Sequence, residues 1–286
     1  AVEIAWGVRK TKNIFDPVFT PLFAGTAARG TTAEDRYQYE RTCRWMVSLQ
    51  LWLIGTVLLG GMFILTIFGE YGDPALLVDL ALEAEAAGWD GFFLWDHLTT
   101  TNEPEVTDPW VVLSAVASRT EHLRLGPMVT PLARRRMPKL ARETVALDHL
   151  SGGRLILGVG LGEHDEEEFS AFGDEADRPT RARILDESLA LLEQLWSGEP
   201  VSFRGAHLQA ETGPFLPTPV QRPRIPIWVA ALWPFKRPLR RAAAWDGAFP
   251  ISSDGGFEYQ MTPEELAQVI AFSAAERHAE GASDLV

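Results

Sequence analysis

The sequence predicts an α/β fold of parallel strands joined by crossover helices, running from residue 62 to the C-terminus at residue 286. Three observations carry this. Short apolar runs alternate with amphipathic helical stretches, the pattern of strands buried on both faces and covered by helices. A chain of 286 residues that is 46% hydrophobic can fill one large core. Turn residues punctuate the alternation: Asp73-Pro74 opens a helix with proline in its first turn, Gly88 follows its end, and Ser151-Gly152-Gly153 turns the chain into a strand.

Taken in order, the run Met62-Phe63-Ile64-Leu65-Thr66-Ile67-Phe68 predicts a buried strand over 63–68, ended by Gly69. A helix over 73–87 and a strand over 91–95 follow, then a loop rich in Thr, Asn and Pro. Next come a helix over 109–118, a strand over 123–129, a helix over 138–150 and a strand over 154–159. An acidic loop leads to a long amphipathic helix over 179–196 and a small hairpin over 201–209. A strand over 225–230, a helix over 237–244, a strand over 247–251 and a helix over 263–279 complete the pattern. That makes six β/α units where a closed barrel needs eight, so a barrel cut short at its C-terminus is expected.

Residues 1–61 are unlike the rest and form a separate N-terminal segment with no motif that speaks for chemistry. The stretch 45–68 is almost wholly apolar and long enough to span a bilayer, but it splits at Gly60-Gly61. Two readings stay open: a membrane helix over 45–61 that tethers the protein, with Arg41 and Arg44 favouring a cytoplasmic N-terminus, or no span at all. The net charge of -13 disfavours nucleic acid as a partner. The single cysteine, Cys43, excludes an intrachain disulfide or a thiolate metal cluster and suits a reducing, cytoplasmic location.

In parallel β/α folds ligands bind at the C-terminal ends of strands, so the residues after each strand are the candidates. After the second strand stand Trp95, Asp96 and His97; an imidazole there can pass a proton near neutral pH, with Asp96 to orient it. The alternative is that His97 braces the loop and Asp96 caps a turn. Thr130 to Lys139 contains Arg134-Arg135-Arg136, positive charge on an acidic chain, which fits an anionic ligand group or equally a run paired with nearby acids. Gly158, Gly160 and Gly162 allow a flat ring or a backbone to pass closely, but the spacing is not the dinucleotide fingerprint. The run Glu163-His164-Asp165-Glu166-Glu167-Glu168 reads as a solvated acidic turn; no second histidine lies at ligand spacing, and no metal is expected. Ala230-Ala231 through Arg237 forms a small-residue turn into a helix whose amides could hold a phosphate, or whose Trp233 and Phe235 simply cover the core.

Together these segments resemble the bacterial luciferase-like monooxygenase family over 62–279. The likeness rests on ALEAEAAGWDGFFLWDHL at 81–98, LRLGPMVTPLARRRMPKLARETVALDHLSGGRLILGVGLG at 123–162, EEEFSAFG at 166–173, IPIWVA at 225–230 and AAAWDGAF at 242–249. The resemblance implies a TIM-type (β/α)8 barrel with a flavin or deazaflavin ring in its mouth. His97 then matches a histidine near the reactive face of the ring. Val129, Thr130, Pro131 and Leu132 match a bulged strand end that often carries a non-prolyl cis peptide, and Pro131 leaves open an ordinary X-Pro cis bond in its place. Gly160 and Gly162 match the glycine turn flanking the cofactor; an acidic residue after the second glycine, usual in deazaflavin dehydrogenases, is replaced by Leu161. Ala230, Ala231 and Ser252 match the phosphate pocket.

The reading that results is an oxidoreductase of monooxygenase type. It would use FMN, reduced by a partner flavin reductase, with oxygen on a small organic substrate, and would assemble as a homo-oligomer. A deazaflavin coenzyme supporting hydride transfer is the first alternative. A non-catalytic flavin-binding barrel is the second. No GxSxG elbow or HExxH helix speaks for a hydrolase.

Overall fold

The computed structural model describes residues 64–67, 72–99, 106–253 and 261–280. The segment 1–61, with the candidate span 45–61, lies outside them. Among the described residues no helix is long and apolar enough to cross a membrane.

The elements follow the predicted order. They are β1 (Ile64–Ile67), α1 (Pro74–Ala86), β2 (Gly91–Leu94), α2 (Pro109–Arg119), β3 (Arg124–Pro127), β4 (Thr130–Pro131), α3 (Met137–Ser151) and β5 (Leu157–Gly160). Then come α4 (Arg178–Ser197), the hairpin β6 (Val201–Arg204) and β7 (Gln209–Thr212), β8 (Ile227–Trp233), α5 (Lys236–Ala243), β9 (Gly247–Ser252) and α6 (Pro263–Glu280). Three helices start alike: Asp73, Asp108 and Asp177 each accept a hydrogen bond from an amide of the first turn, at 2.8, 3.0 and 2.9 Å, with proline at the first or second position. The aspartate satisfies an amide the helix cannot, and proline has none to satisfy. Gly152 and Gly198 end α3 and α4 at φ 66° and 83°, a conformation that a Cβ disfavours.

All pairings outside the hairpin are parallel. One sheet runs β1-β2-β3 and the other β4-β5-β8-β9, and an isolated bridge between Leu125 and Leu155 links them. The strands thus follow chain order, as β/α units wound in one sense require. Their close approach depends on glycine: a Cβ on Gly126 would lie 1.9 Å from the Ile156 carbonyl oxygen, and one on Gly158 would lie 2.2 Å from that of Pro127. Phe92, Leu125, Leu157, Val159, Ile227 and Val229 form the strand side of one core, against Leu113, Leu140, Leu189 and Leu192 of the helices.

One expectation is corrected. The strand expected over 123–129 is interrupted: β3 pairs with β2, β4 pairs with β5, and between them the Met128–Val129 peptide is cis. That bond is non-prolyl, so the cis bond is not an X-Pro bond before Pro131. Among the described residues the strands make up two parallel sheets, with no closed barrel.

Candidate active site

The C-terminal ends of these strands surround a cavity of about 290 Å³. Trp95, Asp96 and His97 enter it from the end of β2, Met128, Val129 and Pro131 from the β3–β4 break, and Leu161, Gly162 and Glu163 from beyond β5. Ala230, Ala231 and Leu232 of β8, Phe235 and Pro238 at the start of α5, and Phe249 and Ile251 of β9 close the far side. The walls are mainly apolar, with Asp96, Glu163, Glu168, Arg178 and Arg241 as charged groups around them.

One group of these centres on a carboxylate that the sequence left among solvated acids. Glu168 is fully buried, and its Oε1 lies 3.0 Å from His97 Nδ1 and accepts from the Leu98 amide at 2.7 Å. Its Oε2 accepts from Arg134 Nη1 at 2.8 Å. Glu168 arrives there on a single π turn, Asp165–Phe169, in which Phe169 is buried beside it. Burial alone would raise the Glu168 pKa, but the hydrogen bond and charge of His97, the charge of Arg134 and the Leu98 amide outweigh it and bring the value from 4.5 down to about 2. The carboxylate therefore stays ionised at neutral pH, and Nδ1 of His97 is the donor. Nε2 is left as the ring nitrogen for a ligand. The Trp95 ring packs 5.0 Å from the imidazole, centroid to centroid.

Asp96 does not orient His97, contrary to expectation. Its buried carboxylate accepts from Thr130 Oγ1 at 2.7 Å, Trp110 Nε1 at 3.3 Å and Arg135 Nη2 at 2.5 and 2.6 Å. Arg134 joins the two acids, bonding Glu168 through Nη1 and both the carboxylate and the backbone carbonyl of Asp96 through Nη2. The triple arginine run thus resolves into three roles. Arg134 is 2% exposed and lies inside the cluster, Arg135 is 21% exposed and closes it, and Arg136 points to solvent. The two inner guanidiniums hold acids of this chain in place of a ligand anion.

The other candidates divide similarly. Val129, Pro131, Gly162, Ala230 and Ala231 line the cavity, whereas Thr130 is buried behind it on Asp96. Gly160 keeps space: a Cβ there would meet Val129 Cγ2 at 2.7 Å and Ala230 Cβ at 3.2 Å. Gly162, at φ 80°, would drive a Cβ to 2.7 Å from Phe169 Cζ. Ser252 is not among the residues of the cavity wall, and its hydroxyl donates to Glu265 at 3.0 Å. Leu161 lines the cavity, and so does the acidic Glu163 two residues later.

The family profile for luciferase-like monooxygenases matches residues 60–279. An F420-dependent hydroxymycolic acid dehydrogenase of Mycobacterium tuberculosis is 36% identical over 163 residues, covering 55% of this chain and 44% of that one. An F420-dependent glucose-6-phosphate dehydrogenase of Nakamurella multipartita is 33% identical over 170 residues, covering 58% and 49%. The chain thus spans about half the length of these curated relatives. Among solved structures, the monooxygenase RslO1 from Streptomyces bottropensis superposes with a TM-score of 0.64 at 24% identity, covering 78% of this chain and 68% of that one, a likeness of fold.

Proposed function

Since this chain belongs to the luciferase-like monooxygenase family, we propose that it is an oxidoreductase, a deazaflavin-dependent dehydrogenase or reductase acting on a small organic alcohol or carbonyl. In this reading the strands are part of a (β/α)8 barrel and His97 moves the proton that accompanies hydride transfer. The observation that carries the reading is the pairing of His97 Nδ1 with the ionised Glu168, which leaves Nε2 toward the cavity. The F420-dependent relatives support a deazaflavin over the reduced FMN and oxygen read first from the sequence.

The residues fit a flat ring. Val129, Leu161, Ala230 and Ala231 offer apolar surface, and Gly160 and Gly162 hold open a turn that a Cβ would fill. When bound, the deazaflavin would supply the hydride chemistry. Oxidation of an alcohol releases a proton from the hydroxyl, and a base must lie within hydrogen-bond reach of it. A neutral His97 that donates from Nδ1 presents Nε2 as that base. Once protonated, its charge faces the Glu168 carboxylate, and carbonyl reduction uses the same nitrogen as donor. Glu168 is held ionised and orients the ring without carrying the proton itself. Met128, Phe249 and Ile251 exclude water around the reacting atoms.

Incubating the purified chain separately with the deazaflavin coenzyme and with FMN, followed by desalting, tests the reading. Deazaflavin absorbance retained with the protein is the expected result. Retention of FMN alone would return the reading to a flavin monooxygenase with its reductase.

A further inference from the structure

We propose that His164 carries protons between solvent and His97, so that the site contains a two-imidazole path. This rests on the reading of His97 as the proton partner in the reaction. A base inside an apolar cavity faces a difficulty that the cavity itself creates: its proton must eventually reach bulk water, yet the side chain of His97 is only 12% exposed. Nδ1 is closed by Glu168 and the Trp95 ring covers one side, so Nε2 is the nitrogen through which the proton must leave.

His164 stands where such a path needs it. Its ring centroid lies 5.6 Å from that of His97, with the planes at 59°, and its side chain is 38% exposed. One end touches the buried imidazole and the other touches water. The position is set by the turn that delivers Glu168. His164 is the N-cap of the π turn Asp165–Phe169, and the Glu168 amide donates back to the His164 carbonyl at 2.9 Å. The same turn therefore places a carboxylate at Nδ1 of His97 and a second imidazole against its ring. His164 reaches there through a left-handed backbone, φ 51° and ψ 56°, and is the one non-glycine residue with positive φ among the described residues. Such a conformation is uncommon for a residue with a Cβ.

The charged groups around His164 favour a passing proton. Glu167 Oε2 lies 3.9 Å from its Nδ1, Glu163 and Asp165 flank it in sequence, and Glu168 lies beyond His97. Arg178 and Arg181, the nearby cations of α4, are both paired with Asp165. The step moves one proton and no electrons. His97, doubly protonated after taking a hydroxyl proton, passes the Nε2 proton through a water to an unprotonated nitrogen of His164, which releases a proton to bulk. Uptake runs the path in reverse. His164 acts only through His97.

The test uses the full chain without cofactor, with histidine labelled at Cε1. Midway through the His97 titration, exchange broadening of its Cε1 resonance reports how fast the ring gains and loses its proton. His164→Phe keeps a ring against His97 but removes the nitrogens. It should slow His97 proton exchange on the order of tenfold, with free imidazole in the buffer restoring the rate, since a positioned acid or base accelerates proton transfer. An unchanged exchange rate in His164→Phe, or a slowed rate that imidazole does not restore, would overturn the path. Because no cofactor or substrate is present, this outcome is independent of the proposed reaction. Full turnover in His97→Ala would remove the reaction reading while leaving the exchange result to stand or fall by itself.

Discussion

Replacing Glu168 by glutamine removes the charge at the centre of the cluster while keeping the shape of the side chain. Its pKa is held down from 4.5 to about 2 in the folded protein. At about 1.4 kcal/mol for each tenfold change in proton affinity, the ionised carboxylate stabilises the fold by roughly 3 kcal/mol while His97 carries its charge. The side chain is 0% exposed, so solvent screening takes little from this figure. Glutamine can still accept from Nδ1 of His97 and the Leu98 amide, but its amide group faces Arg134 donor to donor. A loss of about 2 to 3 kcal/mol corresponds to a Tm lower by roughly 5 to 10 °C in a domain of this size. The sign with pH follows from the depressed value. The stabilisation is complete above the ordinary pKa of 4.5 and disappears as pH falls toward about 2. Below the ordinary carboxylate pKa, the gap in unfolding free energy between wild type and Glu168→Gln should therefore shrink by about 1.4 kcal/mol per pH unit. Denaturant unfolding at pH 7, 5 and 3.5 measures it. A gap that stays constant down to pH 3.5 would mean that Glu168 acts by packing, and the electrostatic account of the cluster would be wrong.

His97→Ala should keep the fold and the retained cofactor while turnover falls by about 10²- to 10⁴-fold, whereas Asp96→Asn should lower Tm and leave the orientation of His97 unchanged, because Asp96 holds arginines. Stopped-flow turnover and thermal unfolding of both variants check the split; equal loss of turnover per degree of Tm would argue against it. Arg134→Gln leaves Asp96 and Glu168 without their shared cation and should cost about 3 to 5 kcal/mol, while Arg136→Gln should change stability by no more than about 0.5 kcal/mol. Similar Tm losses for the two variants would contradict the inward placement of Arg134.

The elements were legible because their signals are local. Periodicity and an Asp with a Pro one or two residues on place α1, α2 and α4 within about two residues, and the apolar runs place the strands. The third strand was read too long because Leu125 to Val129 is uniformly apolar apart from Gly126 and Pro127, and nothing in that composition marks the break at Met128. β8 runs on to Trp233, beyond the expected 230, because Ala231, Leu232 and Trp233 pair with Pro250, Ile251 and Ser252 of β9, a non-local gain. The site was legible in its strand-end residues and not in its ionic partners. His97 and Glu168 are 71 positions apart, and four adjacent carboxylates look alike until a turn chooses one to bury. Phe169 was the available signal: a large apolar residue directly after an acidic run pulls that end of the turn inward. The arginine run posed the same problem, since sequence cannot tell Arg134 from Arg136.

The burial of Glu168 becomes clearer beside carboxylates that do related work elsewhere. Glu85 accepts from the amides of Glu121, His122 and Leu123, and Glu187 accepts from those of Ala206, His207 and Leu208. Each pins a turn by satisfying consecutive donors with one charged group, which needs no further partner. Glu168 begins in the same way, at the Leu98 amide, but adds a ring nitrogen on one oxygen and a guanidinium on the other. That difference marks it as part of the site. Two carboxylates, Asp96 and Glu168, face two inner guanidiniums, Arg134 and Arg135, so the buried cluster is formally neutral when His97 is neutral and carries one positive charge when His97 is protonated. A base in a catalytic cycle must release its proton as readily as it takes it. A lone buried carboxylate beside the ring would leave the cluster with a charge that only a retained proton could cancel, and Arg134 supplies that balance instead. The same count explains why Arg134 belongs inside the fold while Arg136 remains in water, and why losing either acid or the shared cation is expected to act on stability first.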